Sequence, residues 1–167
     1  MVLESLPDAQ VIALDFAMPM LEKGKDKIKN SPRAFRICGD GHQLPFASES
    51  FDAVVCGFGI RNLEKRELAA AEIRRVLKPG GRLVVLEFFR PQKLIPQLFY
   101  HTYGKFILPR VGGVISKNRA AYQYLQDSIQ NFLSEKEYCG MLRSHGFHKT
   151  QSRALSGGIS HLVVAQG

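Results

Sequence analysis

Two carboxylates stand where an apolar run gives out. Asp15 follows Val11-Ile12-Ala13-Leu14, and Asp40 lies between Gly39 and Gly41, directly after the run that ends at Cys38. An acid at the end of a buried strand is placed to accept two hydrogen bonds from a ribose diol. An acid between glycines, which let the backbone come close, is placed to accept from the exocyclic amine of an adenine ring. Each has a plainer alternative: a helix N-cap or turn acid for Asp15, a simple turn for Asp40. The pair, on consecutive runs, suggests an adenosine site. Later apolar runs end in further polar groups, Arg61 and Asn62 after Gly57-Phe58-Gly59-Ile60, and Glu87 after Leu83-Val84-Val85-Leu86.

These groups can converge only if the runs are strands of a sheet. Residues 11–14, 33–38, 51–56 and 82–88 are short and rich in β-branched residues, as buried strands are. Between them lie helical stretches. Residues 18–29 carry Pro19 in the first turn, where its missing N–H does no harm. Residues 64–77 set Leu68, Ala69, Ile73, Val76 and Leu77 at helical spacing before Lys78-Pro79-Gly80-Gly81 stops the pattern. Strands alternating with helices predict a mostly parallel sheet covered on both faces, with ligands outside the carboxyl ends of its strands. Ser134 then opens a helix over 135–145 with Glu137 at capping-box spacing. Two closing strands follow, over 149–155 and 160–165, joined by Ser156-Gly157-Gly158.

The chain has 167 residues, 45% hydrophobic and 23% charged, which predicts one domain over residues 1–167 and excludes wholesale disorder. Its three cysteines, Cys38, Cys56 and Cys139, are odd in number and lack metal-ligand spacing. They read as buried small residues in a reducing cytosol, with no metal site. The net charge of +8 is concentrated in residues 89–126, which hold no Asp or Glu but mix six basic residues with aromatic and aliphatic ones. This is a basic, aromatic-rich helical insertion. Its aliphatic content suits an anionic lipid surface better than nucleic acid, for which no motif is visible. No apolar run reaches membrane-spanning length, so the expected place is cytoplasmic, peripheral at a membrane.

The runs Leu14-Asp15-Phe16, Gly39-Asp40-Gly41, Leu44-Pro45-Phe46, Ser50-Phe51-Asp52, Phe58-Gly59-Ile60-Arg61-Asn62, Leu77-Lys78-Pro79-Gly80-Gly81-Arg82-Leu83 and Leu86-Glu87-Phe88 resemble the ubiquinone/menaquinone biosynthesis C-methyltransferases. The resemblance extends through Ala121-Tyr122-Gln123-Tyr124-Leu125-Gln126-Asp127-Ser128-Ile129 to Ser156-Gly157-Gly158-Ile159. It implies S-adenosylmethionine as cofactor and a Rossmann-like class I methyltransferase sheet with antiparallel C-terminal strands. It also implies that Asp15 holds the ribose hydroxyls with Phe16 beside it, and that Asp40 with Gly41 meets the adenine. Gly57 takes the place where many relatives have a serine near the cofactor. Met18 or Met20 would cover the adenine face, with core packing as the alternative for a helical Met.

The implied reaction is attack by a ring carbon of a polyprenyl quinol on the cofactor's methyl group, with Arg61 and Asn62 as the catalytic pair. An arginine stays protonated, so Arg61 is expected to stabilise developing phenolate charge or orient a water rather than act as a base. The alternative is a salt bridge to a neighbouring acid. Residues 89–126 would serve the polyprenyl tail and the membrane.

The family pattern has a first strand and a glycine-rich turn before Asp15, whereas residues 1–10 contain no glycine. The expected sheet is therefore N-terminally truncated. The absent strand would lie between the strands ending at Asp15 and Cys56, leaving apolar edges that invite association, so a homo-oligomer is expected. A catalytically silent scaffold that binds quinone, lipid or partner subunits is the alternative function.

Overall fold

The computed structural model describes residues 2–25, 31–91 and 119–167. They divide into two units, Met1–Phe46 and Ala47–Gly167. In the first, a helical turn α1 (Val2–Ser5) precedes β1 (Val11–Asp15). β1 pairs in parallel with β2 (Ala34–Cys38), from Val11 opposite Ala34 to Asp15 opposite Cys38. Between them runs α2 (Met18–Lys23), with Pro19 in its first turn and Leu21 as its buried residue. The helix is shorter than its pattern, because Gly24 takes the C-cap position; residues 26–30 lie outside those described.

The second unit is a four-stranded sheet in the order β3 (Phe51–Gly57), β4 (Leu77–Glu87), β6 (Ser160–Gln166), β5 (His148–Leu155). β3 and β4 are parallel, while β6 is antiparallel to both β4 and β5. The parallel start and antiparallel finish are those expected. Between β3 and β4, α3 (Arg66–Val76) buries Ala69, Ala70, Ile73 and Val76. Leu68 was expected on that apolar face; it is 46% exposed, because the face that meets the sheet is centred on the alanines.

The breakers at 78–81 do more than end a helix. Leu77 already has extended dihedrals and starts β4, and Gly80 has φ 78°, a left-handed conformation that favours glycine. The turn is held where Gly80 N–H donates to Gly167 C=O at 2.8 Å and Gly167 N–H donates to Gly81 C=O at 2.9 Å. A Cβ on Gly81 would lie 2.9 Å from Lys78 O, so the approach also requires glycine there.

Beyond β4, α4 (Arg119–Gln130) and α5 (Glu135–Ser144) complete the unit. The expected insertion over 89–126 falls mainly on residues 92–118, outside those described; its last residues belong to α4. Phe89, Phe132 and Tyr138 form a cluster with ring centroids 5.4–5.9 Å apart. Such tilted aromatic geometry adds to the area it buries. Of the cysteines only Cys139 is buried as expected; Cys56 is half-buried and Cys38 exposed. Cys38 ends a strand of a two-stranded sheet, which has too few neighbours to cover it.

The cap predicted for α5 is present in full. Ser134 N–H donates to Glu137 Oε2 at 2.7 Å, and Glu137 N–H donates to Ser134 Oγ at 3.4 Å. The Ser134 hydroxyl and amide, joined by Arg90, hold the Glu137 carboxyl below the usual carboxylate range. A lowered carboxylate contributes stability above its unfolded pKa and loses that contribution as pH falls through its folded value. Ser134→Ala should cost about 1 kcal/mol near neutral pH. Urea unfolding at a series of pH values should show the gap from wild type shrinking towards acid.

Candidate active site

In the first unit, Asp15 and Asp40 lie at one edge. Parallel, in-register pairing brings the carboxyl ends of β1 and β2 together, with Asp15 opposite Cys38 and Gly39 N–H donating to Asp15 C=O at 3.1 Å. Gly39 is demanded by close approach, since a Cβ would lie 3.0 Å from Leu14 Cδ1. Asp15 Oδ1 accepts from Ala17 N–H at 2.8 Å, so the turn-acid alternative accounts for one oxygen. Oδ2 has no hydrogen-bond partner among the described residues. Phe16 is 78% exposed beside it. Met18 and Met20 are exposed as well, which sets aside core packing as their explanation.

Asp40 is tied into its turn. Its Oδ1 accepts from His42 N–H at 2.9 Å and lies 2.6 Å from His42 Nδ1, while Gln43 N–H donates to Asp40 C=O at 3.1 Å. The turn alternative for Asp40 therefore holds as geometry, with Gly41 inside the turn. The carboxylate stays half exposed.

In the second unit, the chain leaves β3 at Gly57, where an added Cβ would meet nothing within 4 Å. Phe58 follows with φ 56°, its N–H donating to Leu86 C=O at 2.8 Å and its ring 4.7 Å from that of Phe88. A 3-10 turn over Ile60–Asn62 then buries Ile60 and presents Arg61 and Asn62.

Glu87 fixes Arg61. Side chains alternate along β4, and Leu83, Val85 and Glu87 share the buried face. The carboxylate is thereby carried fully out of water. Its Oε1 accepts from Arg61 Nη1 at 2.6 Å and from Phe88 N–H at 2.8 Å, and its Oε2 accepts from Arg61 N–H at 3.3 Å. The side chains are 0% exposed for Glu87 and 10% for Arg61. The salt-bridge alternative for Arg61 is thus realised, but it uses only part of the guanidinium. Nη1 also donates to Phe58 C=O at 3.0 Å and Nε to Ser128 Oγ at 3.2 Å. Nη2, with two N–H groups, has no hydrogen-bond partner among the described residues. Beside this pair, burial pushes the Cys56 thiol up, with Glu87 adding to the effect, which keeps the thiol protonated and unreactive.

Asn62 Oδ1 accepts from Tyr124 O–H at 3.1 Å. In the sequence Glu87 stands only as a strand-end acid without a role, and Tyr124 and Ser128 carry only the resemblance. The signals were the alternation along 83, 85 and 87, and two hydroxyls four residues apart, opposite two adjacent polar residues.

A solved S-adenosylmethionine-dependent methyltransferase from Aquifex aeolicus superposes with TM-score 0.64 at 14% identity, covering 94% of this chain and 68% of that one. The architecture is therefore the Rossmann-like methyltransferase fold. Residues 3–166 match the ubiE/COQ5 methyltransferase family, and the chain belongs to it. It is 42% identical over 154 residues to a ubiquinone/menaquinone biosynthesis C-methyltransferase UbiE of Syntrophotalea carbinolica, covering 92% of this chain and 65% of that protein. It is 37% identical to a demethylmenaquinone methyltransferase of Staphylococcus aureus, covering 92% and 64%. The chain thus spans slightly less than two thirds of these relatives.

Two substitutions test the geometry. Glu87→Ala leaves a buried guanidinium without its counter-charge and should cost about 3–5 kcal/mol in chemical denaturation. Gly57→Ser should be accepted, raising stability by about 0.5 kcal/mol in the same measurement, because the site is open and a strand glycine carries an entropic cost.

Proposed function

We propose that this chain serves S-adenosylmethionine-dependent C-methylation of a polyprenyl quinol ring. The observation that carries this reading is the Arg61 guanidinium, nine-tenths buried and fixed on three sides, with Nη2 left to donate. Family membership and the names of the relatives support it.

The residues present fit the cofactor. Asp15 offers an unpartnered carboxylate oxygen at a strand end for the ribose hydroxyls, with the exposed ring of Phe16 beside it. Asp40 and Gly41, for the adenine, complete the set assigned to the first unit; Gly57 leaves open space in the second. When bound, S-adenosylmethionine supplies an electrophilic methyl group on a sulfur that leaves as a thioether. Arg61 remains protonated and donates through Nη2 to a quinol oxygen, whose negative charge grows as its proton passes to solvent and the ring carbon becomes nucleophilic. Asn62, with its carbonyl oxygen engaged by Tyr124, turns its amide N–H groups towards the same task.

The acid-free stretch is assigned to the polyprenyl tail and an anionic membrane surface on composition alone. Among the described residues β1 pairs only with β2 and β3 only with β4. Such edges favour association, which supports a homo-oligomer; the place proposed for it is the cytoplasm, peripheral at the membrane.

Radiolabelled S-adenosylmethionine and a short-tailed demethylquinol, incubated with the chain, should give labelled methylquinol. Arg61→Lys keeps the charge but not the fork and should lower kcat by about 100-fold. No label in the product, together with no thermal protection by the cofactor, would overturn the reading; quinone binding without transfer would favour the silent scaffold.

A further inference from the structure

We propose that Tyr124 and Ser128 are positioning residues that set which donors Arg61 and Asn62 present. The proposal rests on the methyl-transfer reading for its kinetic consequence and on geometry for its substance. Residues four apart share one helix face, so α4 meets the 3-10 turn at two points one helical turn apart. Each point fixes one member of the pair.

Ser128 works in both directions. Its hydroxyl donates to Leu125 C=O at 2.9 Å, which turns an oxygen lone pair towards Arg61 Nε–H at 3.2 Å. Glu87 and Phe58 hold Nη1, and one held edge alone lets a guanidinium tilt. A second bond at Nε fixes the plane and hence the direction of Nη2. Tyr124 acts on the other member. A primary amide can turn over and exchange its oxygen for its nitrogen. The phenol, donating to Asn62 Oδ1 at 3.1 Å, allows one orientation, with the N–H groups on the opposite side. That Tyr124 is 59% exposed removes core packing as the main account of this aromatic.

Kinetics and spectroscopy test this separately. Tyr124→Phe and Ser128→Ala should each lower kcat about tenfold, with KM for a short-tailed quinol and cofactor affinity within about twofold of wild type. Ser128→Thr, which keeps the hydroxyl, should restore most of the rate. In an Arg61→Lys background, Ser128→Ala should cost little more, as expected when two residues act as a unit. Independently of turnover, Ser128→Ala should shift the nitrogen-15 NMR signal of Arg61 Nε–H, and Tyr124→Phe that of the Asn62 side-chain amide. Unmoved signals, or losses that multiply with Arg61→Lys, would overturn the proposal. Shifted signals in a chain that transfers no methyl would uphold the positioning and remove the methyl-transfer reading.

Discussion

A carboxylate fully removed from water must be compensated, and in this molecule that constraint falls on Glu87. The period of a strand carries it inward: once Leu83 and Val85 face the core, position 87 has no other direction to take. An unpaired charge there would cost several kcal/mol, enough to undo much of a small domain's stability. The compensation comes from Arg61 N–H, Arg61 Nη1 and Phe88 N–H together. A segment that supplies two of those three donors has little conformational freedom left. The turn after β3 therefore adopts one shape, and α4 docks on it through hydroxyls already matched to that shape.

In the proposed reaction the same pairing tunes what Arg61 attracts. A bare buried arginine would draw any anion; one already neutralised by a carboxylate offers directed N–H groups with little net charge. Such a group favours an oxygen whose charge grows during reaction over one fully charged beforehand, the preference that lowers a barrier rather than merely tightening binding. In that reaction Glu87 thus acts through Arg61, without needing to touch the reactant.

Much of this architecture was legible in local pattern. The runs at 11–14, 33–38, 51–56 and 82–88 became strands, Ser134 with Glu137 formed its box, and the last two strands closed the sheet antiparallel. What local pattern could not supply was pairing at a distance. Arg61 and Glu87 are 26 residues apart, and Arg61 and Ser128 are 67 apart. Nothing in the immediate neighbourhood of either arginine or serine announces the other. Leu68 illustrates the converse failure, since helical spacing marks a stripe but not its centre, and Ala69 and Ala70 won the buried side. Asp40 lies between: its glycine flanks alone read more readily as a turn, only its pairing with Asp15 pointed to a close approach, and the turn is what its backbone makes.

Phe58 has a consequence of its own. A bulky residue in the left-handed region is strained by about 1–2 kcal/mol, and here it stands between two glycines that would have accepted that conformation freely. The shape sends its carbonyl to Arg61 Nη1 and its ring onto Phe88. A protein engineer seeking a hardier variant would choose glycine at this position first. Relaxed backbone would come with a looser carbonyl and a vacated aromatic shelf, so thermal robustness and a sharply aimed guanidinium pull this residue in opposite directions.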